Sequence, residues 1–157
     1  MNHNYNILPI READLRLASR MIRFTIQKSW NDLYPKELLE EFCKKYTVPN
    51  LRKKSKKSTL FVAISEKDIL GIIGLKGNEL RTFFVSPDYQ GLGIGRKLFE
   101  KFEEEAKQRG LNEIKLEGSP KGEPIYEHFG FKKIGTIHKE RVGIKYSDAI
   151  MKKIIHY

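Results

Sequence analysis

Two hydrophobic periods alternate along the chain and divide it into elements. After a short apolar strand over residues 5–10, closed by Pro9, the positions Leu15, Ala18, Ile22 and Ile26 recur every three or four residues, with Leu17, Met21 and Phe24 widening the stripe. That spacing predicts an amphipathic helix over 12–29. Ser29-Trp30-Asn31-Asp32-Leu33-Tyr34-Pro35 interrupts the pattern, and a second helix over 35–46 starts at Pro35 and buries Leu38, Leu39 and Phe42. Three runs rich in β-branched and aromatic residues follow, at Thr59–Ser65, 69–76 and Glu79–Val85. Turns at Glu66-Lys67-Asp68 and Gly77-Asn78 separate them, so they read as consecutive antiparallel strands. Helical spacing returns at Ile94, Leu98, Phe102 and Ala106, with Phe99 beside the stripe, Glu103 and Lys107 paired on the outer face, and Gly110 as the terminator. This helix covers 94–109. A strand over 113–117 turning Ile114 and Leu116 inward, a short helix over 123–129, and strands over 132–140 and 146–155 complete the order β-α-α-β-β-β-α-β-α-β-β.

The bulk properties narrow the setting. At 157 residues the chain reads as one domain over 1–157, and no composition shift or internal repeat divides it. Hydrophobic residues make up 39% and charged ones 32%, the balance of a soluble globular protein. There is no apolar run of membrane length and no signal-type segment. Cys43 stands alone, which excludes an internal disulfide, and His3, His128, His138 and His156 show no metal-ligand spacing with it. No metal is expected, and a reducing cytoplasm fits best. A formal charge of +10 draws anions: nucleic acid, acidic protein or a phosphorylated cofactor. The run Leu51-Arg52-Lys53-Lys54-Ser55-Lys56-Lys57-Ser58 reads as a solvated basic loop; an acidic acceptor or nucleic acid are the alternatives, with nuclear targeting behind them. No aromatics are interleaved in that run, which makes nucleic acid an unlikely partner.

The chemistry concentrates between Glu79 and Arg109. A strand passes through the turn residues Ser86-Pro87-Asp88-Tyr89 into Gln90-Gly91-Leu92-Gly93-Ile94-Gly95-Arg96-Lys97 and then a helix. Three glycines at 91, 93 and 95 let a ligand approach the backbone where unpaired N–H groups and the helix dipole meet, which favours an anion. Such a turn also occurs as a plain connection. The dinucleotide fingerprint is excluded because the last glycine comes one position early, and the nucleoside-triphosphate loop because Gly95 is followed by Arg96 and Lys97.

The spacing Gln-x-x-Gly-x-Gly, here Gln90, Gly93 and Gly95, resembles the acyl-CoA pyrophosphate motif of the GNAT acetyltransferase superfamily. Val85-Ser86-Pro87-Asp88-Tyr89 is similar to that family's strand-to-loop passage. About thirty residues beyond, Pro124-Ile125-Tyr126-Glu127-His128-Phe129-Gly130-Phe131 resembles its late Tyr-Glu-x-x-Gly-Phe signature, which also reads as an ordinary helix end at Gly130. The element order matches the family's over nearly the whole chain. The resemblance implies a single α/β (α+β) domain with a mixed, mostly antiparallel central sheet and helices on both faces. It implies an N-acetyltransferase that moves an acetyl group from acetyl-CoA directly to an amine on a small molecule, protein or peptide.

The resemblance also implies roles. Phe83, Phe84 and Val85 stand where the family's fourth strand offers main-chain groups to the pantetheine and thioester. Gln90, Gly91, Leu92, Gly93, Ile94, Gly95 and Arg96 would hold the pyrophosphate. Tyr126 is the candidate acid for the leaving thiolate, with a packing role in the cofactor channel as the alternative. Glu79 stands eleven residues before Gln90, where histone-type relatives carry a proton-accepting glutamate. Glu117, at the end of the next strand, is the rival. Both also read as ordinary strand-end acids, and many relatives use ordered water instead. Regular alternation puts Glu79, Arg81, Phe83 and Val85 on one face of the strand and Leu80, Thr82 and Phe84 on the other, unless a bulge, which the resemblance leads one to expect, intervenes.

One departure stands out. Where many relatives place Asn, seven residues before the tyrosine, this chain has Ser119 followed by Pro120-Lys121-Gly122 in a shorter loop; Ser119 remains a candidate pantetheine contact. In the family the acceptor is selected by the loop between the first two helices and by the last hairpin, here Trp30 to Tyr34 and about Arg141 to Ser147. Trp30 and Tyr34 either line an amine pocket or cap the core. A homodimer is left open, with the final strand as the element that would pair. A non-catalytic acyl-CoA sensor is the main alternative function.

Overall fold

The computed structural model describes residues 4–157; His3 lies outside them. Among the described residues the strands are β1 (Asn6–Pro9), β2 (Thr59–Ser65), β3 (Asp68–Lys76), β4 (Glu79–Val85), β5 (Glu113–Gly118), β6 (Lys132–Arg141) and β7 (Ile144–Ile154). The α-helices are α1 (Leu15–Ser29), α2 (Lys36–Lys44), α3 (Val48–Lys57), α4 (Ile94–Gln108) and α5 (Glu123–His128). All seven strands form one sheet in the order β1-β2-β3-β4-β5-β7-β6. Only the β4–β5 pair is parallel, and it is registered at a single point, Glu79 opposite Lys115. From there the two strands run on in the same direction without a ladder, so the sheet opens toward Val85 and Gly118.

Each face of the sheet carries its own core. On one side Leu15, Ile22 and Ile26 of α1, Leu38 of α2 and Leu51 of α3 pack with Val62, Ile72 and Phe84. On the other, Leu98, Phe99 and Phe102 of α4 pack with Ile73, Ile114, Leu116, Phe131 and Met151. The central positions of the stripes read from the sequence are buried, with Ala18, Ile22 and Ile26 and, in α4, Leu98, Phe102 and Ala106 fully enclosed; Leu17 and Phe24, read as widening the α1 stripe, are instead exposed beyond the edge of that contact.

Three expectations change. The basic run is not a loop but the body of α3. Thr47 caps that helix, its hydroxyl accepting the Asn50 N–H, and Pro49 sits in the first turn. Lys and Arg are good helix formers, and burial of Leu51 alone anchors the face. Second, the regular alternation of β4 does not hold, because the bulge that the resemblance implied is present: Gly74 pairs with Thr82 and Leu75 with Leu80, leaving Arg81 unmatched. The strand therefore changes face partway. Leu80, Phe83 and Val85 pack on the α4 side while Phe84 packs on the α1 side. Glu79, which alternates with Leu80, thus faces the side of Phe84 and not that of Val85. Third, β7 lies between β5 and β6 and is paired on both sides over residues 149–152, so it offers no free edge there for a dimer; the sheet edges are β1 and β6.

The β6–β7 hairpin turns on Val142 and Gly143, both left-handed at φ 46° and 76°. That is the geometry of a type I′ turn, which asparagine tolerates and a β-branched residue does not. Val142 is exposed and loses no packing on replacement. Val142→Asn is expected to stabilise the fold by about 1 kcal/mol, roughly 3 °C in thermal midpoint. A midpoint at or below the parent's in a thermal scan would contradict it.

Candidate active site

The opening between β4 and β5 forms a cleft of about 860 Å³. Nearly all the residues singled out from the sequence line it: Glu79, Phe83, Phe84, Val85, Gln90, Gly91, Gly93, Ile94, Gly95, Glu117, Ser119 and Tyr126. Leu92 and Arg96 are not among its lining residues. The Arg96 side chain is exposed and lies 3.9 Å from Glu100.

One wall is the glycine turn. Gly91 and Gly93 adopt φ of 79° and 81°, and a Cβ built on either meets nothing within 4 Å. The first amide of α4 to find an acceptor is Lys97, on the Gly93 carbonyl at 3.1 Å. Among the described residues none accepts the N–H groups of residues 91–96. Six consecutive free donors at the start of a fifteen-residue helix form an anion cradle. A pyrophosphate fits this donor set, and the empty space in front of Gly91 and Gly93 gives it access. Gln90 braces the turn from behind, its Nε2 donating to the Val85 carbonyl at 3.1 Å. Ile94 is buried and anchors the helix start.

Tyr126 stands at the opposite wall. A Cβ on Gly118 would lie 3.2 Å from its ring, and one on Gly122 3.0 Å, so two glycines make the bed on which the ring rests. Phe83 and Phe131 flank it at centroid distances of 6.3 and 5.9 Å. Gly130, at φ 96°, lets the Phe131 N–H fold back onto the Tyr126 carbonyl at 3.0 Å, and Phe131 is buried. The late signature is therefore both a helix end and the device that fixes the tyrosine. No side chain or main-chain group among the described residues hydrogen-bonds the Tyr126 hydroxyl. Burial, with the neighbouring Tyr46 phenol adding, pushes its pKa well above the ordinary tyrosine value. Ser119 caps the adjoining turn, its Oγ accepting the Gly122 N–H at 3.2 Å, which leaves the hydroxyl proton available to the cleft.

The two candidate bases are both paired. Arg81 donates to Glu79 Oε2 at 2.9 Å. Lys139 Nζ lies 2.5 Å from Glu117 and 3.3 Å from Asp148. Burial works against the Lys139 charge, but the hydrogen bond to Glu117 and the charge of Asp148 outweigh it and raise the pKa. Glu79 sits at the closed apex of the cleft, whereas Glu117 adjoins Gly118 and hence the tyrosine.

The α1–α2 loop reaches the cleft with Trp30 and Tyr34, and both readings of this pair hold. They line it, and they also pack in an aromatic cluster with Phe42, Phe84 and Tyr146 at centroid distances of 5.2 to 6.0 Å. Burial pushes the Tyr34 phenol up to about 12, with Asp148 and Tyr146 adding. Lys121 ties the two walls together, donating to the Ser29 carbonyl at 2.5 Å and to Asp32 at 2.7 Å. Sequence reasoning missed Gly118, Gly122, Lys121, Lys45 and Arg141 as site residues. Only the position of Arg141 in the last hairpin pointed to it.

Comparison with known proteins agrees with this geometry. The family described as "Acetyltransferase (GNAT) domain" matches residues 30–153. A GCN5-related N-acetyltransferase from Rhodopseudomonas palustris superposes with a TM-score of 0.88 at 18% identity, covering 98% of each chain. The PaiA N-acetyltransferase of Thermoplasma acidophilum, solved with coenzyme A, gives 0.82 at 22% identity, covering 96% of this chain and 99% of its own. The ribosomal-protein-S18-alanine N-acetyltransferase of Escherichia coli gives 0.66 at 19% identity, covering 98% of this chain and 96% of its own. With an anion cradle and a partly buried tyrosine lining one cleft of a splayed sheet, and with that match over most of its length, the chain belongs to the GNAT acetyltransferase family, whose members take the acetyl group from acetyl-CoA.

Proposed function

We propose that the cleft transfers an acetyl group directly from acetyl-CoA to an amine acceptor. The observation that carries this reading is the juxtaposition, in one cleft, of the unpaired amides at the start of α4 and a tyrosine hydroxyl without a partner among the described residues. Acetyl-CoA supplies an activated thioester; the residues supply position and protons. The amides of 91–96 hold the pyrophosphate, each charge-assisted bond contributing on the order of 1.5–3 kcal/mol. The unladdered edge of β4 at Phe83, Phe84 and Val85 offers main-chain groups to the pantetheine, with Ser119 opposite. The acceptor nitrogen bonds to the acetyl carbon and the carbon–sulfur bond breaks. Glu79 accepts the nitrogen's proton through water, and Tyr126 gives its proton to the sulfur. Burial that raises the Tyr126 pKa also raises the basicity of a thiolate in the same cleft, so the transfer stays matched. A cytoplasmic site of action fits a lone, buried cysteine.

A thiol-release assay with acetyl-CoA against amines, amino acids, polyamines and peptides tests this. Release with at least one class is expected. Coenzyme A binding without release from any of them would favour an acyl-CoA sensor.

The bulge turns Glu79 toward the side of Phe84, and Arg81 holds it as Lys139 holds Glu117, so the choice of Glu79 rests on its place eleven residues before Gln90. Glu79→Gln is therefore expected to lower the rate most at acidic pH, where the amine is protonated, with partial recovery as hydroxide increases. Glu117→Gln should be milder. If instead Glu117→Gln loses the acidic limb and the Glu79→Gln profile overlays the parent's, Glu117 is the base.

A further inference from the structure

Besides Lys121, which Asp32 holds, the cleft is lined by five cations: Lys45 at the end of α2, Lys54 on α3, Arg81 on β4, and Lys139 and Arg141 on β6. Arg81 and Lys139 are neutralised by Glu79, Glu117 and Asp148. Lys45, Lys54 and Arg141 have no carboxylate partner among the described residues. They are nonetheless held in place. Lys45 and Lys54 lie over the rings of Phe42 and Tyr46, at 5.5 and 5.3 Å to the centroid, and the Arg141 Nε donates to the Tyr146 hydroxyl at 3.1 Å. Lys45 and Lys54 are half-buried. Burial first, then Arg141, Lys139 and Lys54, pull Lys45 down to about 8, with Asp148 opposing. Burial also lowers Lys54, with Arg81 and Lys76 adding. Concentrating unpaired cations in a low-dielectric cleft costs stability unless an anion joins them.

Resting on the transfer reading above, we propose that the acceptor is an amine that carries its own anionic group, a carboxylate or phosphate, which Lys45, Lys54 and Arg141 bind while the amine reaches the thioester. The pyrophosphate does not account for these residues. It is met by the amides of 91–96 at the start of α4, on the α4 face of the sheet, whereas Lys45 and Lys54 belong to helices packed on the opposite face. A polycationic acceptor would meet three uncompensated positive charges.

Matched acceptor pairs test the proposal: glycine against glycinamide, phenylalanine against phenylalaninamide, and O-phosphoethanolamine against ethanolamine, with spermidine as the polycation. Thiol release should favour the acidic member of at least one pair by tenfold or more in kcat/KM. Lys45→Ala, Lys54→Ala and Arg141→Ala should each shrink that ratio toward one, a lost charge-assisted bond being large enough to remove a preference of about tenfold. Lys53→Ala, on the same helix as Lys54 but outside the cleft, should leave the ratio intact. A binding arm stands independently of turnover: in the presence of coenzyme A, N-acetylglycine should bind more tightly than N-acetylglycinamide by calorimetry. That preference should fade as the pH rises through about 8, where Lys45 loses its proton. Preference for the amides or for spermidine, or equal binding of the two acetylated probes, overturns the proposal. Absence of thiol release with every amine defeats the transfer reading instead, and the binding arm then decides the anion site alone.

Discussion

Gly93→Val is expected to weaken coenzyme A binding on the order of a hundredfold or more while the protein remains folded. At φ 81° a valine is strained, so the turn shifts out of the conformation that aims its amides, and the branched side chain fills the open space in front of them. Loss of even two charge-assisted amide bonds accounts for that magnitude. Gly95 provides a control for backbone strain. It lies in the first turn of α4 without a positive φ, and its Cβ would make only ordinary contacts, 3.6 Å to Val85 and 3.8 Å to Phe83. Gly95→Ala favours the helix and adds one methyl at the cleft wall, so it should keep or raise thermal stability while lowering affinity. Calorimetric titration with coenzyme A and a thermal scan separate the two effects. Normal binding by Gly93→Val would move the site elsewhere.

Tyr126→Phe is expected to lower kcat between a hundred- and ten-thousandfold with coenzyme A affinity retained, because it removes a proton donor and keeps the ring. The ring's bed on Gly118 and Gly122 and its contacts with Phe83 and Phe131 involve no oxygen, so the fold should not respond. The pH dependence follows from the direction of the shift. The active form is protonated, and burial raises the pKa above its usual value near 10, so the donor form persists throughout the neutral range and above it. The loss on mutation should therefore be similar from about pH 6 to 9. Unchanged turnover in a chemistry-limited assay would leave Tyr126 as a packing residue.

Much of this site was legible because the signals were local. The β4 run, the three glycines and the α4 stripe are contiguous in sequence, and the donors they present are backbone groups whose placement depends on chain conformation alone. The same holds for Tyr126, fixed by a helix end whose glycine and returning Phe131 lie within five residues of it. What was hidden depended on partners distant in sequence. The α3 segment lacks an apolar period, burying only Leu51, and its start was marked by a Thr47 cap. A bulge was implied by the resemblance, but its place at Arg81 is set by pairing with β3, and that place reverses the face of Glu79. Gly118 and Gly122 read as loop residues until the tyrosine ring is laid upon them. Lys45, Lys54 and Arg141 come from three separate segments, and only the fold shows that their neighbouring carboxylates are already engaged.

The central claim is that the backbone amides of residues 91–96 hold the pyrophosphate of acetyl-CoA. An amide-resolved NMR titration with coenzyme A measures this directly. The N–H resonances of Gly91 through Arg96 should shift together, move downfield as they gain charged acceptors, and become protected from solvent exchange. Saturation by coenzyme A with those six resonances unmoved, and the shifts gathered elsewhere, would contradict the account.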